Sequence, residues 1–303
     1  MAVRLVATDL DGTFLRPDGT VSDRARAAVR RARSAGIDVI PVTARAPWST
    51  RRIAEAGGLG PLAVCGNGAV VYDLDAATVL DHVTLPGDVA ARLVTAVRAA
   101  VPGIRFACET IDELVPELGL FDAEAARAWL VDLSGPVADV LQHLGPAVTK
   151  LICRHPDRLA DDGDQLLDEV AAACGADGTV TSAGTGWAEI GAPGVTKAFA
   201  LERVCDRLGL PAADVLCVGD SLNDVPMLAW AGTPVAVANA RPEVLAVAER
   251  VVAANGEDGV AQLLEELAAG VRRAGGPPPS GTARGGWRAG ACAARQTRGS
   301  PPS

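Results

Sequence analysis

The chain of 303 residues is 49% hydrophobic and 21% charged, a composition typical of a globular protein with two domains or one domain carrying a large insertion. The formal net charge is −9, and because residues 271–303 hold six arginines and no acidic residue, the first 270 residues have a net charge of −15. Such an acidic protein is not expected to bind nucleic acid, and no stretch approaches the roughly 20 apolar residues of a membrane span.

Strand-like and helix-like stretches alternate along the first 65 residues. Apolar runs predict short strands over residues 3–8, 37–42 and 61–65, and helices are predicted over residues 22–35 and 46–56. This alternation is typical of a doubly wound, Rossmann-like parallel sheet with helices on both faces. We therefore predict an α/β fold.

The middle of the chain has a different pattern. Residues 66–84 contain two alternating apolar runs around residues 73–77, which predict a hairpin. From residue 85 to residue 190 strands and helices continue, but polar residues are more widely spaced and Gly-Pro turn signals recur. We interpret residues 85–190 as an inserted α+β domain.

The alternation resumes after the insertion. The elements predicted there are helices over 196–208, 222–231 and 259–268 and strands over 215–218 and 234–237. Residues 1–84 and 191–270 are thus expected to form one core domain. Residues 271–303 are rich in Gly, Pro, Ser and Arg with little to bury, and they are predicted to be a disordered basic tail.

Cysteine usage and the N-terminus indicate the cellular compartment. The seven cysteines are scattered and form no CxxC pair, which predicts reduced thiols rather than a zinc site or a disulfide framework. The N-terminal apolar run, residues 3–7, is interrupted by Arg4 and does not have the pattern of a signal peptide. We expect a cytoplasmic protein with no membrane partner, and the sequence makes no prediction of the oligomeric state.

The first chemical motif is DLDGT at residues 9–13, directly after a predicted strand. The strand end places Asp9 at the carboxyl edge of the sheet, where open α/β sheets bind ligands, and Asp11 can face the same crevice. Beside a divalent cation, one carboxylate can act as a nucleophile while the other serves as acid and base. The alternative is a solvated Asp-Gly turn.

Two further motifs offer groups that can bind a phosphate. The hydroxyl of Thr43 precedes the amides of Ala44 and Arg45, an arrangement that can cradle a phosphate, although by itself Thr43 is more simply the N-cap of the next helix. Lys197 is one of two lysines beside 26 arginines, and a compact ammonium can contact a phosphoryl oxygen and a nucleophile together. Its alternative is an ordinary exposed lysine in the first turn of a helix. The other lysine, Lys150, is assigned to a strand of the insertion and given no chemistry.

The fourth motif is GDSLND at residues 219–224, directly after an apolar strand. Asp220 ends that strand, while Asn223 and Asp224 fall within the first turn of the next helix. Oxygen ligands of this kind suit Mg²⁺, and a loop of capping residues is the weaker alternative. Because all four motifs are predicted to lie at the carboxyl ends of strands, we expect them to form one pocket.

In the order of these motifs the sequence resembles the haloacid dehalogenase (HAD) superfamily, specifically the Cof-type hydrolases that carry a large α/β cap. The matching segments are DLDGTF at 9–14, TAR at 43–45, GVTK at 194–197 and GDSLNDVPML at 219–228. The resemblance extends from residue 3 to about residue 268. It implies that residues 85–190 are the cap domain and that this domain closes over the site.

The resemblance also implies how the acidic residues divide the chemistry. Asp9 is expected to be the nucleophile and Asp11 the general acid and base. The Mg²⁺ ion is expected to be bound by the Asp9 side chain, the Asp11 backbone carbonyl and Asp220, with Asp224 behind a water.

For the phosphoryl group, the resemblance implies contacts from Thr43, Lys197 and Asn223. Ala44 stands where the family generally has glycine, and its methyl group is expected to reshape the phosphate-binding loop around the Ala44 amide. Arg45 matches the motif and is included among the substrate-binding residues.

The function expected from these motifs is the Mg²⁺-dependent hydrolysis of phosphomonoesters of small metabolites, such as sugar phosphates, through an aspartyl-phosphate. The expected partner is a small phosphorylated metabolite. Two alternatives stay open: a phosphomannomutase-like phosphotransferase, and a non-catalytic module that binds phosphometabolites. Glu189, in the insertion, is as compatible with a substrate contact as with a structural role.

Overall fold

A computed structural model of the chain describes residues 3–121, 135–158, 163–182, 184 and 186–273. The predicted disordered tail, from residue 274 onward, lies outside the described residues. Among the described residues, no helix combines the length and the apolar composition needed to cross a bilayer.

The elements are numbered in chain order. The strands before residue 84 are β1 Leu5–Thr8, β2 Asp38–Pro41, β3 Leu62–Cys65, β4 Val70–Asp73 and β5 Thr78–His82. The strands of the insertion are β6 Leu85–Pro86, β7 Arg105–Glu109, β8 Leu114–Pro116, β9 Ala147–Val148, β10 Lys150–Arg154, β11 Thr179–Ser182 and β12 Ala188–Gly191. The last strands are β13 Val215–Gly219, β14 Thr233–Val237 and β15 Arg250–Val252. The helices are α1 Asp23–Ser34, α2 Pro47–Gly57, α3 Gly87–Ala100, α4 Gly163–Cys174, α5 Lys197–Leu208, α6 Val225–Trp230, α7 Pro242–Val247 and α8 Gly259–Arg273.

A parallel sheet with the strand order β15-β14-β13-β1-β2 forms the core. Within it, Ala7 of β1 pairs with Cys217 of β13 on one side and with Ile40 of β2 on the other. β1 and β13 are buried along their whole length, which explains why both have continuous apolar sequences rather than alternating ones. A bridge between Val42 and Val64 connects β2 to β3, which pairs with the predicted hairpin β4-β5. The α/β fold predicted from the sequence is confirmed.

The insertion forms a second sheet with the order β11-β12-β10-β7-β8, in which every pair is antiparallel. We call this the inserted sheet. Helices α3 and α4 pack against each other, and their apolar side chains form a cluster with residues of the inserted sheet such as Phe106 and Leu151. The parallel sheet has its own, separate cluster. Each sheet therefore buries its own hydrophobic core.

Some local features differ from those predicted. The helix predicted over 222–231 begins as a short 3₁₀ turn that ends at Asp224, because the side chains of Ser221 and Asp224 form a capping box there, and α6 follows. Helix α8 continues to Arg273, three residues into the predicted tail, and Val271 packs against the core. Helix α7 and strand β15 were not predicted, since six and three residues are too few to show a clear periodicity.

Gly68 allows the loop after β3 to contact the start of α5. Its φ is +99°, and a Cβ at this position would lie 2.0 Å from the carbonyl oxygen of Thr196, the N-cap of α5. Gly209, the C-cap of the same helix, also has a positive φ, +63°, but a Cβ there would meet nothing within 4 Å. A comparison of substitutions at Gly68 and Gly209 therefore separates the effect of the close contact from the effect of the left-handed backbone.

We predict that Gly68→Ala lowers the free energy of unfolding by about 1–3 kcal/mol more than Gly209→Ala. Both substitutions place alanine in the left-handed region, but only the first also drives a methyl group into backbone atoms. Chemical denaturation of the two variants measures the difference. Equal losses of stability would show that the contact between the β3 loop and α5 is not tight.

Candidate active site

The loop after β1 brings Asp9 close to Asp220. The backbone N–H of Asp9 donates to the carbonyl of Val218 on β13 at 3.0 Å, so Asp9 still lies beside that strand, and its side chain is buried. Gly12 has a φ of +80°, and a Cβ there would lie 2.4 Å from Oδ2 of Asp220. Thr13 donates its hydroxyl to Oδ1 of Asp220 at 2.6 Å. The DLDGT motif is therefore not a solvated turn: it positions residue 220 as well as residue 9.

Lys197 is the first residue of α5 and is completely buried. Its Nζ donates to Oδ1 of Asp9 and to Oδ1 of Asp224, each at 2.6 Å. Although burial lowers it, the two carboxylates raise the pKa of Lys197 above its ordinary value. The strand that precedes this motif, β12, belongs to the inserted sheet rather than to the parallel sheet. The alternative of an exposed lysine was wrong.

Three carboxylates form a cluster around this lysine. Oxygen atoms of Asp9, Asp220 and Asp224 lie within 4.8 Å of one another. Burial raises the pKa of Asp9 well above its ordinary value, with Lys197 opposing the shift. Burial also raises the pKa of Asp220 to about 6, and the neighbouring charge of Asp224 adds to it. Three acids facing one ammonium leave a surplus of negative charge in this cluster.

The cluster fits a hard divalent cation such as Mg²⁺. All the groups it offers are oxygen atoms, which such cations prefer, and a double positive charge offsets the surplus of carboxylates. Asp224 is held rigidly, because its Oδ2 accepts the backbone N–H groups of Asp220 at 2.9 Å and of Ser221 at 3.0 Å. Asp9 and Asp220 are accordingly the better candidates for direct ligands.

Asp11 lies apart from the acidic cluster. Its carboxylate accepts two hydrogen bonds from the guanidinium of Arg45, both at 2.6 Å, and about half of the side chain is exposed. Arg45 also donates to the hydroxyl of Ser49 at 3.0 Å. The guanidinium predicted to contact substrate is thus engaged with the predicted acid and base. A bidentate pair of this kind fixes the orientation of both side chains.

Thr43 follows β2 and is buried. It is not a helix N-cap, since α2 is capped at Ala46, so the simpler alternative for Thr43 was wrong. Its hydroxyl instead accepts the backbone N–H of Arg45 at 3.1 Å, within a turn that faces the acidic cluster. The carbonyl of Ala44 accepts a hydrogen bond from Lys150 Nζ at 2.7 Å. One hydrogen bond within the turn and one from the insertion therefore hold this loop.

Asn223 joins the core to the insertion through a chain of hydrogen bonds. Its amide donates to Oδ1 of Asn67 at 3.1 Å, and the Asn67 amide donates to Glu189 on β12 and, at 3.1 Å, to Thr181 on β11. All of these contacts are buried or partly buried. Glu189 in turn accepts from Lys150. Glu189 is thus a buried structural partner, and it also lines a cavity.

Most of the residues described above line one cavity of about 340 Å³. The predicted site residues on its wall are Asp9, Asp11, Thr43, Ala44, Arg45, Asp220 and Asn223. The insertion contributes Glu109, Leu114, Lys150, Ser182, Gly184 and Glu189 to the same wall. Lys197 and Asp224 are not on the wall, and they contact Asp9 and the loop after β13 from the buried side.

Lys150 is a wall residue to which the sequence analysis assigned no chemistry. It is buried in β10, pairs with Glu189, and has its Nζ 3.8 Å from Oε2 of Glu109. The scarcity of lysines that drew attention to Lys197 applies equally to Lys150. That signal was available in the sequence, whereas the positions of Glu109 and of Trp48, which also lines the cavity, depend on the fold.

Residues 6–264 match the family model of haloacid dehalogenase-like hydrolases. The chain is 30% identical over 264 residues to the 5-amino-6-(5-phospho-D-ribitylamino)uracil phosphatase YitU of Bacillus subtilis, covering 86% of this chain and 96% of that protein. It is 29% identical over 282 residues to the pyridoxal phosphate phosphatase YbhA of Escherichia coli, covering 87% and 98%. Among solved structures, a haloacid dehalogenase-like hydrolase from Bacillus subtilis has a TM-score of 0.74 at 25% identity, covering 88% of this chain and 100% of that one.

We predict that Mg²⁺ raises the unfolding temperature of the protein and that Asp220→Asn removes most of this effect. A cation that binds the folded state at a hundred times its dissociation constant stabilises by about 2.7 kcal/mol, and a neutral amide binds it far less well than a carboxylate. Thermal unfolding across a Mg²⁺ titration measures both. Asp206→Asn, which alters an exposed carboxylate of α5, serves as the control and should respond like the wild type. An undiminished response of Asp220→Asn would contradict the site.

Proposed function

The chain belongs to the haloacid dehalogenase-like hydrolases and is a phosphatase of that family, and we propose that it hydrolyses small phosphorylated metabolites through a phosphoryl-enzyme on Asp9. The observation that carries the mechanism is the buried ammonium of Lys197, which donates a hydrogen bond to Oδ1 of Asp9, a residue on the cavity wall. The matched relatives whose names specify a substrate act on phosphorylated small molecules, which supports the substrate class.

The first step requires an ionised Asp9 close to a phosphate that is itself negatively charged. Burial disfavours the ionised form of Asp9, whereas the positive charge of Lys197 favours it. Since Lys197 holds Oδ1, we expect Oδ2 to attack the phosphorus. A bound Mg²⁺ would neutralise charge on the phosphoryl oxygens, and Asp9 and Asp220 are the residues proposed to hold it. Neutralising the developing charge and positioning the groups supply most of the rate enhancement in such reactions.

We assign the binding of the phosphoryl group to Thr43, Asn223 and the turn at Ala44. Thr43 and Asn223 both line the cavity beside Asp9, and the Asn223 amide has a second N–H besides the one given to Asn67. Lys197 is assigned to orienting Asp9, because it lies behind this carboxylate rather than on the wall.

Asp11 is proposed to transfer the protons. When the bond between phosphorus and the leaving oxygen breaks, that oxygen takes a proton from Asp11. Asp11 then takes a proton from a water whose oxygen attacks the phosphorus, the bond to Asp9 breaks, and phosphate leaves with both carboxyls restored. Arg45 holds the carboxylate of Asp11 in place through two hydrogen bonds, which fixes its orientation for both proton transfers.

Residues 85–190 are proposed to act as a cap that excludes water and selects the leaving group, since the inserted sheet supplies one side of the cavity. A cytoplasmic location is proposed as well. It is supported by the six cysteines of the described residues, all of which are buried free thiols.

The two alternatives are less well supported. A phosphotransferase is not favoured, because the matched relatives are named as phosphatases. A module without catalytic activity is not favoured either, because Asp9, Lys197 and Asp220 are all present and assembled.

We predict that Asp9→Asn lowers phosphate release from an aryl phosphate by about 10⁴-fold or more, the scale seen when a nucleophile is removed. The variant should still fold, because Lys197 keeps its hydrogen bond to Asp224. Steady-state assays with thermal unfolding in parallel test both points. Asp75→Asn, an exposed acid in the turn between β4 and β5, is the matched control and should retain full activity. Undiminished turnover by folded Asp9→Asn would falsify the assignment of the nucleophile.

A further inference from the structure

A continuous chain of hydrogen bonds joins two of the groups assigned to phosphoryl binding, and this chain passes through the insertion. Lys150 donates to the carbonyl of Ala44 at 2.7 Å and to Glu189. Glu189 also accepts from the amide of Asn67, whose Oδ1 in turn accepts from the amide of Asn223 at 3.1 Å. The four side chains are all buried, so water competes little for these contacts. One end of the chain is the turn at Ala44, and the other end is Asn223.

At the first end of the chain, Lys150 fixes one peptide unit of the turn. The carbonyl of Ala44 and the N–H of Arg45 belong to the same planar peptide, and that N–H donates to the hydroxyl oxygen of Thr43 at 3.1 Å. By holding the carbonyl, Lys150 therefore also holds this N–H against Thr43. Because the Thr43 oxygen accepts this hydrogen bond, its own hydroxyl hydrogen points elsewhere and can donate to a phosphoryl oxygen.

At the other end of the chain, Glu189 sets the orientation of two amides. Its carboxylate, paired with the ammonium of Lys150, only accepts hydrogen bonds. The NH₂ group of Asn67 therefore faces Glu189, and its Oδ1 faces Asn223. Since Oδ1 of Asn223 has no hydrogen-bond partner among the described residues, the contact with Asn67 is what orients the Asn223 side chain there. The second N–H of the Asn223 amide is the donor assigned to the phosphoryl group.

From this chain we propose that Lys150, Glu189 and Asn67 are positioning residues for phosphoryl transfer. They hold the Thr43 hydroxyl and the Asn223 amide so that both donate to one phosphoryl group. This inference rests on the proposed function of the cavity and adds to it a role for the insertion in the phosphoryl site. Lys150 and Glu189 lie on β10 and β12, so the chain is complete only while the inserted sheet packs against the core. The three residues act on the phosphoryl group and not on the leaving group.

Two substitutions break the chain at different points. Glu189→Gln keeps the size of the side chain, but an amide has only one oxygen and cannot accept from Lys150 and from Asn67 on its two sides. Lys150 retains the carbonyl of Ala44 and has Oε2 of Glu109 at 3.8 Å, so this variant should fold. Asn67→Gly removes the bridging amide, and the φ of 55° at this position suits glycine.

We expect each variant to lose about tenfold or more in kcat/KM, because small displacements of positioning groups are costly, and to lose the same factor with an aryl phosphate and with glycerol phosphate. The affinity for inorganic phosphate, measured by titration calorimetry and as an inhibition constant, should fall in parallel. Combining the two substitutions should cost little more than either alone, because both break one chain. A loss of stability by itself would produce none of these results in protein that is still folded.

Glu113→Gln and Ala77→Gly are the matched controls. The first makes the same chemical change at an exposed position of the insertion, and the second places glycine at an exposed residue whose φ is 53°. Both should behave like the wild type, and thermal unfolding establishes that every variant is folded. Unchanged kcat/KM and phosphate affinity in Asn67→Gly would overturn the proposal. A loss in Glu189→Gln that depends on the leaving group would overturn it too, because Glu189 would then contact the leaving group.

Failure of this inference and failure of the proposed function give different results. If the wild type releases phosphate from the aryl phosphate and both variants do so equally well, the chain does not position the phosphoryl site and the proposed function stands. If the wild type releases no phosphate from either substrate, the proposed function is wrong and this inference falls with it.

Discussion

The structure depends most on one buried ion pair network, in which the ammonium of Lys197 lies between the carboxylates of Asp9 and Asp224. Each of these groups would be costly to bury alone, and removing one partner of such a network commonly costs about 3–5 kcal/mol. The network also fixes geometry, because the three residues belong to three separate parts of the chain. Asp9 directly follows β1, α5 begins at Lys197, and the turn after β13 holds Asp224. The close contact of Gly68 with the start of α5 supports the same arrangement.

A second polar network joins the parallel sheet to the insertion. Lys150 donates to the carbonyl of Ala44, in the turn that faces the acidic cluster, and Glu189 accepts from both Lys150 and Asn67. These contacts are almost entirely buried, so separating the two sheets would expose charged and polar partners together. The groups proposed to bind the phosphoryl group and the groups proposed to select the leaving group are therefore held by the same hydrogen bonds. A substitution in one of these two sets of groups is therefore expected to alter the position of the other set.

Sequence reasoning recovered the features that depend on continuous or periodic patterns. β1 and β13 were predicted because buried parallel strands are unbroken apolar runs, and their ends placed Asp9 and Asp220 together. It failed where an outcome depends on distant contacts. The pairing of Asp11 with Arg45 and the burial of Lys150 depend on how the turn after β2 and the inserted sheet pack, which no local pattern encodes.

The central claim is that a phosphoryl group is carried on Asp9, and the most direct measurement is mass spectrometry of enzyme quenched in acid during turnover. Asp11→Asn with an aryl phosphate is the best material, since a good leaving group needs no proton from residue 11, whereas the attacking water must give up a proton to a base there. We predict a phosphoryl group on the peptide that contains Asp9, and more of this species should accumulate in the variant than in the wild type. A phosphoryl group on any other residue, or phosphate release with no phosphorylated peptide in either protein, would contradict it.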